Sequence, residues 1–110
     1  MAYTPDYVDI PPSRADLDAG SGWQLLEFGA PWCPHSSAAQ PTLQALLLQH
    51  DMPHLKVEDG KGRPLGRAYQ VKLWPTIILL HDGEEQARVV RPLRVEDIEG
   101  LAARVRWQDA

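Results

Sequence analysis

Cys33, Pro34, His35 and Ser36 lie in the stretch Phe28-Gly29-Ala30-Pro31-Trp32-Cys33-Pro34-His35-Ser36-Ser37, which joins an apolar run to an amphipathic one. A cysteine attacks only as its thiolate, so its surroundings must favour the anion at neutral pH. A helix beginning at Pro34 would do this. Proline loses no hydrogen bond at a first helical position, and Cys33 would face the free N–H groups and positive dipole end of that helix. A protonated His35 would add to the effect. The chemistry this permits is exchange with a disulfide through a mixed disulfide. Cys33 is the only cysteine in 110 residues, so the second sulfur must come from outside the chain. Its ionisation is expected below the ~8.5 of free cysteine.

The flanking patterns say what must hold this cysteine. Residues 1–12 contain three prolines and read as an irregular arm, with at most a short edge strand over 7–10. Ser13 is an N-cap for a short helix ended by Gly20-Ser21-Gly22. Trp23–Gly29 is mostly apolar, as a strand covered on both faces would be, with Glu27 the anomaly. Ala38, Ala39, Leu43, Leu46 and Leu47 share one face of a helix over 34–49, and Pro41 inside it removes a hydrogen bond and bends the axis. His54–Glu58 alternates like a strand, 63–70 reads as a short helix, and Trp74-Pro75-Thr76 leads into an apolar strand over 77–80. Asp82-Gly83 signals a hairpin to a strand over 85–91, and Val95, Ile98, Leu101, Ala102 and Val105 repeat at helical spacing. Parallel crossovers followed by an antiparallel hairpin give a mixed sheet with helices on both faces.

Composition narrows the function classes. The length suits a single domain with its own core, here expected over residues 13–110 behind the arm. No apolar run approaches the length of a bilayer span, and Met1 to Asp6 have neither the basic start nor the apolar stretch of a signal peptide, which predicts a cytoplasmic protein with no membrane partner. Acidic and basic residues are mixed throughout for a net charge of −4, without the basic stripe that nucleic acid requires. The four histidines show no metal-ligand spacing with Cys33, so neither metal nor cofactor is expected. His50, His54 and His81 read as surface or loop residues.

From Glu27 to Gly83 these residues resemble the thioredoxin family in register and without a gap, and the likeness extends over residues 23–104. The junction Trp32-Cys33-Pro34-His35-Ser36 looks like the family's Trp-Cys-x-x-Cys site, Pro41 sits at its helix-bending proline, and Trp74-Pro75-Thr76 looks like its cis-proline loop. The resemblance implies the α/β thioredoxin fold, a central mixed four- to five-stranded sheet flanked by helices on both faces. It also implies a small thiol-disulfide oxidoreductase, monomeric, with Cys33 as nucleophile. Pro34 and His35 would tune that thiol, and Glu27 would be a buried proton-shuttling acid with Lys56 against it, the desolvation of its charge offset by the lysine. Trp32, Trp74 and Pro75 would form a substrate-facing rim, the Pro75 loop pairing with an extended substrate segment. Partners would be disulfide-containing proteins held by mixed disulfide, and a reductase of the thioredoxin-reductase type or glutathione.

Three positions depart from the pattern. Ser36 stands where the second, resolving cysteine would be, Trp74 where a smaller residue is usual, and Arg91-Pro92 where a glycine usually leaves room for substrate. A serine hydroxyl cannot resolve a mixed disulfide. Ser36 was therefore either introduced to trap partners or belongs to a natural monothiol enzyme working with glutathione. Glu27 and Lys56, present without the cysteine they would serve, favour the first. A binding or chaperone-like module using the Trp32, Trp74 and Pro75 groove without turnover is the reading from another class.

Overall fold

The computed structural model describes residues 3–109, with side chains described through residue 105. Its elements run α1 (Arg14–Asp18), β1 (Trp23–Gly29), α2 (Pro34–Ala38), α3 (Gln40–Gln49), β2 (His54–Glu58), α4 (Pro64–Ala68), β3 (Thr76–His81), β4 (Glu84–Val90) and α5 (Val95–Asp109). The four strands form one sheet in the order β2-β1-β3-β4. β1 runs parallel to β2 and antiparallel to β3. The parallel pair requires a crossover, which α2 and α3 supply.

Period-2 alternation divides the central strands between two cores. Leu25, Ile77 and Leu79 pack with Leu43, Leu46 and Leu47 of α3 and with Ile98, Leu101 and Val105 of α5. Leu26, Phe28, Ile78 and Leu80 face the other way, against Leu17 of α1 and Leu65 and Tyr69 near α4. Covering both faces explains the unbroken apolar runs of β1 and β3, and each such side chain fully withdrawn from water contributes roughly 1.5–3 kcal/mol. Helices therefore flank a mixed four-stranded sheet on both faces. Among the described residues, no helix is long and apolar enough to cross a membrane.

Two expectations need correction. The helix expected over 34–49 is two helices that meet at Ala39, which is the C-cap of α2 and the N-cap of α3. Pro41 has no N–H for the carbonyl of Ser37, and that carbonyl accepts instead from the N–H of Ala39. No strand forms over 7–10; the Val8 N–H donates to the Lys56 carbonyl at 2.8 Å and so ties the arm to the edge strand β2. The turn between β3 and β4 follows expectation, with Asp82 and Gly83 both at positive φ, 52° and 81°, the geometry that matches the twist of paired strands.

Candidate functional site

β1 ends at Gly29, and the chain turns through Ala30-Pro31-Trp32 into α2, so that Cys33 becomes the N-cap of that helix with Pro34 at its start. Cys33 is 5% exposed. Burial pushes its thiol up; the backbone N–H of Ser36, the Ser36 hydroxyl, the backbone N–H of His35 and the charge of Arg91 outweigh this and leave it below its ordinary value. The His35 side chain is exposed, so it is the backbone of His35 that reaches the sulfur.

Ser36 is turned inward and 2% exposed. Its Oγ accepts from the Ala30 N–H at 3.3 Å. The absent side chain of Gly29 makes room for this arrangement: a β-carbon there would stand 2.6 Å from Ser36 Oγ and 3.0 Å from the Tyr7 hydroxyl. Tyr7 comes from the N-terminal arm and lines a cleft of about 280 Å³ together with Pro31, Ser36, Gln40 and Lys56. Burial, helped by the charge of Glu27, pushes the Tyr7 phenol up to about 12.

Behind this cleft lies a buried polar network. Glu27 is fully buried, and its two carboxylate oxygens accept from different elements: Oε1 from His54 Nε2 at 2.9 Å, Oε2 from Gln40 Nε2 at 2.9 Å. His54 Nδ1 accepts the Thr4 N–H at 2.9 Å, which leaves its ring proton on Nε2 to donate to Glu27. Lys56 is the registered neighbour of Glu27 across β1 and β2. Its Nζ nevertheless donates to Gln40 Oε1 at 3.1 Å and to the Pro5 carbonyl at 3.0 Å, so its hydrogen-bonded link to Glu27 runs through Gln40. His54, expected at the surface, is the group that faces the acid, because it lies two residues before Lys56 on the same side of β2 and its ring has the shorter reach.

Just before β3, the Trp74–Pro75 peptide is cis. Trp74 Nε1 donates to Asp59 Oδ2 at 2.9 Å, and its ring meets that of Trp32 edge-on with centroids 5.4 Å apart. Trp32 itself is 72% exposed. Arg91, at φ 54°, holds this loop: its N–H donates to the Pro75 carbonyl at 2.9 Å and its Nε to the Trp74 carbonyl at 2.8 Å.

Cys33, Pro34, His35 and Ser36 are thus gathered at one helix start, Trp32, Trp74 and Arg91 at one rim with the Pro75 side chain fully buried, and Glu27 and Lys56 in the buried network. Sequence reasoning missed Tyr7, Gln40, His54 and Asp59. The period-2 pattern of β2 could have found His54; nothing in the sequence marked the other three. Among the described residues, no group of three His, Cys, Asp or Glu side chains converges to hold a metal.

The family model described as thioredoxin matches residues 14–104. The structure of thioredoxin 2 from Pseudomonas aeruginosa in its reduced form superposes with a TM-score of 0.76 at 48% identity, covering 89% of this chain and 95% of that one. A thioredoxin of Chlamydia trachomatis is 40% identical over 74 residues, 64% of this chain and 70% of the relative. Protein disulfide-isomerase A3 of Gallus gallus is 32% identical over 99 residues, 84% of this chain but only 19% of that longer protein. The helix-capped thiol, the mixed sheet and the matched family model together make this chain a member of the thioredoxin family of disulfide oxidoreductases.

Proposed function

We propose that the chain performs thiol-disulfide exchange with Cys33 as nucleophile and with disulfide-containing proteins as substrates. The observation that carries this reading is the sulfur at the start of α2, whose thiolate is favoured by two backbone N–H groups, the Ser36 hydroxyl and Arg91. In the forward step the Cys33 thiolate attacks one sulfur of a substrate disulfide, a Cys33–substrate disulfide forms, and the other substrate sulfur leaves as a thiolate. Trp32 and Trp74 form the rim that receives the substrate chain, with the backbone at the buried Pro75 available to pair with it, and Pro34 and His35 hold the helix start that activates the sulfur. Ser36 cannot attack the mixed disulfide, so release requires an external thiol such as glutathione, or a reductase that supplies one.

A natural monothiol enzyme is the reading of Ser36 that the network supports. Glu27 is satisfied by His54 and Gln40, and Lys56 by Gln40 and Pro5. These residues have structural partners without a second cysteine, which supports a natural monothiol form beside the reading of Ser36 as an introduced replacement.

The test is intact-mass measurement after incubation with a protein disulfide. One adduct at Cys33, stable alone and released by glutathione, is expected. A Ser36→Cys variant should reduce insulin disulfides with dithiothreitol. A chain that forms no adduct under conditions that alkylate Cys33 overturns the reading.

A further inference from the structure

Arg91 is held in an uncommon way. It sits at φ 54°, a left-handed conformation in which a bulky residue is rarely found, and two hydrogen bonds fix it there: its N–H to the Pro75 carbonyl, its Nε to the Trp74 carbonyl. A guanidinium carries five N–H donors in a planar fork, and only the Nε donor is used. The two terminal nitrogens have no partner among the described residues. The side chain is half-buried, and its charge reaches the Cys33 sulfur.

Trp32 and Leu73 adjoin Cys33 and Trp74 in the chain and Leu93 lies two residues after Arg91; they are 72%, 50% and 59% exposed. The acid that touches this rim, Asp59, is engaged by Trp74 Nε1, and Arg91 forms no ion pair with it or with any other described residue. His35 is exposed at the helix start, and the Tyr7 hydroxyl lies on the Ser36 side. Arg91 is therefore an anchored cation with an open fork beside the nucleophile, in a chain of net charge −4. A fixed guanidinium fork matches a carboxylate in two-point geometry and loses little freedom on binding it.

We propose that Arg91 is a specificity-determining residue that selects disulfides bearing a carboxylate near the reacting sulfurs. The inference deepens the assignment of Cys33 as the exchanging thiol and rests on it. Glutathione disulfide is the smallest probe of this class, and the reaction is Cys33–S⁻ with GSSG giving the Cys33–S–SG mixed disulfide and GS⁻. Cystamine undergoes the same exchange but carries ammonium groups instead of carboxylates. Because the same thiolate attacks both, any change in its ionisation cancels in the ratio of the two rates.

The experiment measures that ratio by intact mass in the full chain, at fixed pH and low salt. The unaltered protein is expected to favour glutathione disulfide. Arg91→Ala should lower the ratio about fivefold, the worth of one partly exposed charged contact. Arg91→Gln, neutral but of similar length, should do the same if the alanine variant folds poorly, and Arg91→Lys should keep most of the preference. Raising the ionic strength from about 0.01 to 1 M, which shortens the screening length from about 30 to 3 Å, should lower the ratio for the unaltered protein and should not lower it in Arg91→Gln, whose net negative charge acts in the opposite sense. A ratio that is the same with and without Arg91 overturns the inference while Cys33 remains the nucleophile. Failure of both probes to react overturns the nucleophile, and this inference with it.

Discussion

Glu27 and His54 meet at 2.9 Å with both side chains wholly out of water, one from the central strand of the sheet and the other from its edge. Taking a carboxylate out of water is costly, and it is tolerated only where each of its oxygens finds a donor. His54 serves one oxygen and Gln40 the other, so these three side chains link β1, β2 and α3.

Removing one member should therefore cost more than an ordinary hydrogen bond. His54→Leu leaves Glu27 Oε1 buried without a partner and is expected to lower stability by about 3 kcal/mol. In urea unfolding this appears as a lower midpoint at unchanged slope. A loss within a few tenths of a kcal/mol would mean that Glu27 finds water or another donor.

Cys33 should alkylate with iodoacetamide along a pH curve whose midpoint lies below that of free cysteine, about 8.5, because backbone and hydroxyl donors outweigh the effect of its burial. Ser36→Ala deletes one of these donors and should move the midpoint upward. The linked stability follows from the sign: the folded thiol has the lower pKa, so its contribution is present above the unfolded value and is lost as pH falls through the folded one.

Tyr7 titrates in the opposite sense. Folding raises its phenol from 10.0 to about 12, so between those values the unfolded chain loses a proton that the folded chain keeps. Stability should fall as pH rises through this range. Tyr7 is only half-buried, and with solvent screening taken into account the expected loss is about 1 kcal/mol. Comparing chemical denaturation at pH 9 and 11.5 in the parent and in Tyr7→Phe isolates it, since Tyr3 and Tyr69, also raised, are common to both.

Gly66 lies in α4, where alanine would ordinarily stabilise a helix by up to about 1 kcal/mol. Here a β-carbon would overlap the carboxylate of Asp59, the group that holds Trp74 Nε1. Gly66→Ala should displace Asp59 and free the Trp74 ring, seen as a changed tryptophan emission and an altered rate of mixed-disulfide formation. Unchanged emission would show that Asp59 does not fix the rim.

Much of this protein was legible in its residues because the relevant physics is local. An apolar run bounded by glycine marked β1, the apolar run after Trp74-Pro75-Thr76 marked β3, Asp82-Gly83 marked the hairpin, and the Cys33-Pro34 junction marked the start of α2. Pro41 announced a disturbance in the helix over 34–49, though not that it would divide the helix at Ala39. Contacts between distant segments were not legible. Lys56 is the neighbour of Glu27 in the strand register, yet its long side chain reaches Gln40 and Pro5, and His54, two residues earlier, takes the acid. The arm over residues 3–8 reads as irregular because it has no period, but Thr4 fixes the proton of His54 and Tyr7 lies over Ser36. Sequence determined most of the elements that form and the helix start that carries the single cysteine, since propensity, capping and periodicity act within a few positions. Only the tertiary structure decided who partners whom in the buried network, because that depends on side-chain reach across strands and on a segment brought there from about 50 residues away.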